Sequence, residues 1–81
     1  MENNFYFENT TPPHNKFWSI TIKKNDTENP FSRTYKLIRK WGAIGTEGVS
    51  MVENYNFESD AITRKNKLIQ EKIAKGYQAV M

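Results

Sequence analysis

Three of the chain's four glycines, Gly42, Gly45 and Gly48, fall in one seven-residue span that begins beside Trp41. Glycine stands where a backbone must take positive φ or let another group come close. A triplet spaced in this way builds a compact corner, and the segments flanking it alternate as strands do. Residues 33–44 place Tyr35, Leu37 and Trp41 on one side with Arg33 and Arg39, and Ile38 and Ile44 on the other with Lys36 and Lys40. Residues 49–57 put Val49, Met51, Tyr55 and Phe57 on one side. Two strands joined by so short a connection form a hairpin. Glu53 shares the side of those apolar residues, which predicts a bulge or a shift of register near it.

Upstream, residues 16–24 alternate cleanly, with Trp18, Ile20 and Ile22 opposed to Ser19, Thr21 and Lys23. Asn25-Asp26-Thr27-Glu28-Asn29-Pro30 is a polar loop whose acids disfavour a phosphate contact. Downstream, Ser59 is placed to cap a helix over 60–75, with Asp60 in its first turn and Gly76 as its C-terminal cap. Ala61, Ile62, Leu68, Ile69 and Ile73 fall within an arc of about 140° at 100° per residue, a stripe wide enough to cover a sheet. Lys65 and Lys72 interrupt the stripe with stems that can lie along its edge, while Arg64, Lys67 and Lys75 form a solvated basic face. The expected fold is a small α+β domain, an antiparallel sheet of three or four strands with one C-terminal helix packed on one face. It occupies residues 16–81. Residues 1–15 show no period and read as a mostly flexible tail, within which Phe5-Tyr6-Phe7 is either a docking peptide or a cover over the domain's own apolar surface.

At 81 residues there is room for one domain, and a domain this small buries only about 60% of its unfolded surface. There is no cysteine, hence no disulfide framework and no thiolate chemistry. The first residues lack the basic and apolar regions of a secretory signal, and no run approaches the roughly 20 apolar residues of a membrane span. The expectation is a soluble, cytoplasmic protein, in which the sequons at Asn9 and Asn25 are chance. Residues 16–81 carry all 12 Lys and Arg against seven acids, so the folded part holds a net +5 where the whole chain holds +3. Such an excess is compatible with an anionic partner.

Catalysis is not supported. The lone His14 lies in the expected tail, no Ser, His and Asp fall in a recognisable pattern, and no cluster of carboxylates suggests a metal site. The glycines are not followed by a Walker Lys-Ser/Thr and do not form GxGxxG. Gly42-Ala43-Ile44-Gly45 matches GxxG literally, but a KH loop joins two helices and this one ends a strand. No cofactor or small-molecule substrate is expected. Trp41 can be core, since it shares its side with Tyr35 and Leu37, or an exposed platform for bases or sugars, beside cations that neutralise phosphates. The candidate binding residues are Trp41, Gly42, Arg39, Lys40, Lys36 and Arg33. They alternate between faces and converge only if the strand twists or its end is free.

Residues 16–77 resemble the WGR domain, a module of poly(ADP-ribose) polymerases and of bacterial proteins named for a Trp-Gly-Arg signature. The resemblance rests on Phe17-Trp18-Ser19-Ile20, on Tyr35 to Lys40, on Trp41-Gly42-Ala43-Ile44-Gly45-Thr46-Glu47-Gly48, on Ala61, and on Lys72-Ile73-Ala74-Lys75-Gly76-Tyr77. It implies a module that helps grip a DNA end, with Trp41 against the terminal nucleotide. The signature Arg is Ala43 here, which removes a contact worth about 1.5–3 kcal/mol where it is made.

Two functions follow. One is a DNA-binding module that recognises ends or breaks without sequence readout, Trp41 stacking while Arg39 and Lys40 hold phosphates. The alternative is a protein–protein interaction domain using the same Trp-glycine corner and the Phe5-Tyr6-Phe7 segment, a reading that Ala43 favours.

Overall fold

A computed structural model describes residues 3–25 and 34–80. Among these residues five strands and one helix follow in the order β1 (Asn3–Asn9), β2 (Lys16–Asn25), β3 (Thr34–Ala43), β4 (Val49–Tyr55), α1 (Glu58–Ala74) and the two-residue β5 (Gln78–Ala79). Every pairing is antiparallel, and the sheet runs β4-β3-β2-β1-β5. The α+β architecture is the expected one, with a wider sheet. The loop over residues 25–30 falls, from residue 26 on, outside the described residues.

Period-two alternation gives the sheet two unlike faces. Trp18 lies directly opposite Trp41 on β3 and opposite Phe7 on β1, and Ile22 lies opposite Leu37. This side carries the core: Trp18, Ile20 and Leu37 are fully buried, with Phe7 and Leu68 in the same cluster. Trp41, Tyr55, Ile69 and Tyr77 pack against it in part. From α1, Ala61 and Leu68 are buried, whereas Ile73, at the margin of the apolar stripe, is half exposed.

The first fifteen residues, read from sequence as a tail, contribute β1. Phe7 tilts against Trp18 with ring centroids 5.7 Å apart, and Tyr6 stacks on Phe17 on the opposite face at 5.9 Å. Phe5-Tyr6-Phe7 therefore covers the domain's own surface on both sides. Asn9, at the end of β1, is buried; its Nδ2 donates to the Lys75 carbonyl and its Oδ1 accepts from the Thr11 amide. One asparagine thus ties the β1 turn to the end of the helix.

No bulge interrupts β3 and β4, whose register is unbroken from Tyr35↔Tyr55 to Trp41↔Val49. Glu53 stays on the apolar side because its carboxylate is partnered there. Arg39 donates to it at 2.7 Å, the Tyr55 hydroxyl donates at 2.7 Å, and Arg64 lies 3.9 Å away. Arg64 therefore turns toward the sheet and not to solvent.

The helix also starts two residues earlier than its pattern implies. Phe57 is the N-terminal cap, in extended conformation and without a side-chain bond, and its carbonyl accepts from Asp60 and Ala61. Ser59 lies inside the first turn, where its carbonyl accepts the Thr63 hydroxyl. Glu58 and Asp60 occupy that turn and favour the positive end of the dipole. At the other end Gly76 takes φ +99°, the Tyr77 amide bonds the Lys72 carbonyl, and the Gly76 amide bonds that of Ile73. These are the two bonds of a Schellman motif, so Gly76 ends the helix as its position implies.

Candidate nucleic-acid interface

The glycine corner closes β3 onto β4. Gly48 has φ +72°, and a Cβ there would run into the Trp41 carbonyl and the Phe17 ring. A Cβ on Gly42 would stand 2.8 Å from the Cα of Gly48. The Thr46 amide and hydroxyl both donate to the Ala43 carbonyl, at 3.1 and 2.6 Å, and the Ile44 amide donates to the Asn15 carbonyl at 3.1 Å. The corner is thereby held to itself and to the β1–β2 turn, and Trp41 is fixed just before the end of its strand.

Trp41 is half-buried. Part of it packs on the core, and part lines a cleft of about 840 Å³. The walls are the end of the sheet, the residues around His14, and the last turn of α1 with Tyr77. Among the described residues three lysines line it, Lys16, Lys72 and Lys75, and no Asp or Glu does. Lys72 lies 5.8 Å from the centroid of Trp18 and 5.5 Å from that of Tyr77. Burial first, then the nearby charge of Lys75, lowers its pKa, with Glu71 acting in the opposite sense and Arg39 and Lys16 adding to the fall. A desolvated ammonium beside further cations holds unspent attraction for an anion. A positive, partly apolar cleft with aromatic walls is suited to a nucleotide and its phosphates.

The residues singled out from sequence do not all meet here. Trp41 and Gly42 line the cleft. Arg39 shares Trp41's side of the sheet, but its guanidinium is spent on Glu53 and also contacts the Met51 sulfur. Lys36 and Lys40 project from the opposite face, where Lys40 borders a smaller hollow with Tyr6, Phe17 and Thr46. Arg33 lies outside the described residues. The cations beside Trp41 are instead Lys16, Lys72 and Lys75, which the pattern alone assigns to a strand start, a stripe edge and a solvated face. Pairing Trp18 with Trp41 would have revealed the first, because that register carries Lys16 to Ala43.

Among the described residues no group of three His, Cys, Asp or Glu is placed to hold a metal ion, and no helix is long and apolar enough to cross a membrane.

The model of the WGR domain family matches residues 2–81. The chain belongs to the WGR family. The WGR domain is a module associated with nucleic-acid binding in general. It is 32% identical over 75 residues to the uncharacterized protein y4dW of Sinorhizobium fredii, a match covering 90% of this chain and 34% of the relative. A protein of known crystal structure from Bacteroides fragilis superposes with a TM-score of 0.79 at 28% identity, over 98% of this chain and 20% of that one. The chain thus spans about a third of one relative's length and a fifth of the other's.

Proposed function

We propose that this WGR domain grips the end or break of a DNA duplex, recognising shape and charge without reading bases. Trp41 stacks on the terminal nucleotide, while Lys16, Lys72 and Lys75 hold backbone phosphates. The observation that carries the reading is the cleft itself: a half-buried indole at the family's signature position and, among the described residues, three lysines and no carboxylate. Three phosphate contacts predict that log K falls by about 2.7 per log unit of salt.

The test is a fluorescence titration with a blunt-ended duplex over a salt series. Trp18 is buried, so stacking quenches the emission of Trp41 alone and the change is absent in Trp41→Phe. Trp41→Ala loses about 1–3 kcal/mol of stacking, with the salt slope kept. An affinity indifferent to salt, or unaltered in Trp41→Ala, contradicts the proposal.

A protein-interaction role stands beside it for one reason. Strand β4 is an outer edge and exposes Val49, Met51 and Val52, with Phe57 67% exposed just beyond it. Partners that survive nuclease treatment in a pull-down would favour that role, and partners lost on nuclease treatment would favour the first.

A further inference from the structure

We infer that Lys16 takes over, from the neighbouring strand, the cationic place that an arginine at the third position of the Trp-Gly-Arg signature would fill, and that it does so toward a phosphate beside the terminal nucleotide. The inference rests on the DNA-end reading. Ala43 is the last residue of β3, two positions beyond Trp41 and so on the same side of the sheet. Lys16 is the first residue of β2 and lies directly opposite Ala43. Directly opposed residues of an antiparallel pair have Cβ atoms about 4.5–5.5 Å apart and project to the same side. A long side chain from position 16 and one from position 43 therefore enter the same space, and both positions line the cleft with Trp41.

The neighbours of Lys16 are small or committed. On one side stands the methyl of Ala43. On the other stands Asn9, buried and bonded to Lys75 and Thr11. Two cations directly opposed across a strand pair repel, so an arginine at 43 and a lysine at 16 are alternatives more than partners. Among the described residues Lys16 makes no ion pair, and its charge is felt by Lys72 across the cleft. The exchange has a chemical consequence. A guanidinium fork fixes the orientation of the phosphate it holds, whereas an ammonium is a compact point charge with three rotatable donors. A Lys16 contact supplies attraction with little demand on phosphate orientation.

The test measures dissociation constants for a blunt duplex by fluorescence anisotropy, with thermal melts as a check of folding. The proteins are wild type, Lys16→Ala, Ala43→Arg, the double variant and Trp41→Ala. Lys16→Ala is expected to weaken binding about tenfold and to lower the salt slope by about 0.9. Adding Ala43→Arg to Lys16→Ala is expected to restore both, to within about threefold of wild type. Ala43→Lys in the same background serves where the arginine variant melts low. A double variant that folds normally and binds as weakly as Lys16→Ala overturns the inference. If Trp41→Ala weakens binding and Lys16→Ala does not, the inference falls and the DNA-end reading stands. If neither changes binding, the cleft is not the site and both fall.

Discussion

Replacing Lys72 by methionine separates holding the fold from holding the ligand. The unbranched stem is kept and only the charge is removed. Lys72 is desolvated enough to have its pKa lowered from 10.5, so the folded state disfavours its charged form relative to the unfolded chain. The contacts to the Trp18 and Tyr77 rings act in the opposite sense, at about 0.5–1 kcal/mol for an exposed cation over a ring. The two effects oppose one another, and since 1 kcal/mol moves Tm by about 4–8 °C in a domain of this size, Tm should change by no more than about 8 °C in either direction. Binding should change far more. With three phosphate contacts, affinity drops about 40-fold between 50 and 200 mM salt, and with two it drops about 12-fold. Raising pH has a matching effect. Lys72 loses its proton before an ordinary lysine, so the wild-type slope approaches that of the variant as pH climbs toward 10.5. Over the same window the unfolded chain binds more protons than the folded one, so stability from this group rises with pH. Anisotropy across the salt series and calorimetric melts measure both. A variant that melts much lower, or that keeps the wild-type slope, refutes the argument.

Other perturbations test other links. Gly48→Ala should cost more than Gly45→Ala in urea unfolding: both glycines have positive φ, but a Cβ on Gly45 meets nothing within 4 Å, whereas one on Gly48 meets the Trp41 carbonyl and the Phe17 ring. Glu53→Gln should destabilise by about 1–3 kcal/mol, more than Arg39→Met, because it strands a guanidinium that is only 17% exposed while the methionine variant removes that charge. Equal losses would place no weight on the pairing. The Tyr55 pKa is raised from 10.0, first by its hydrogen bond to Glu53 and then by burial. The stability this adds is present below pH 10 and lost as pH rises through the raised value, so Tyr55→Phe should flatten the alkaline limb of a pH–stability curve. Leu37→Ala should cost about 2–5 kcal/mol, enough to unfold much of so small a domain, since Leu37 is fully buried on a strand paired on both sides.

What was legible in the sequence was what local pattern determines. The alternation of Trp18, Ile20 and Ile22 marks β2, the stripe of α1 marks the helix, and Gly76 ends it. The hairpin at Gly42 to Gly48 follows from the glycines and the alternation on either side of them. β1 was not legible, because Asn3, Asn4, Glu8 and Asn9 disfavour a strand in isolation and the pairing with β2 overrides them. Glu53 reads as a bulge or a shift of register because a half-buried acid looks like a break in pattern until its partners Arg39, Tyr55 and Arg64 are in place. The cleft failed to show for a similar reason. Trp41 can be found along the chain, but Lys16, Lys72 and Lys75 reach it only through strand register and the turn at the end of the helix.

The measurement that bears most directly on DNA-end recognition compares two duplexes of one sequence, one blunt-ended and one closed at both ends by hairpin loops, at fixed salt. Phosphate contacts alone serve both equally, whereas stacking of Trp41 needs a terminal base pair. The open duplex is expected to bind at least about tenfold more tightly, in line with the stacking of one base, and Trp41→Ala is expected to erase the difference. Equal affinity for the two duplexes would contradict it.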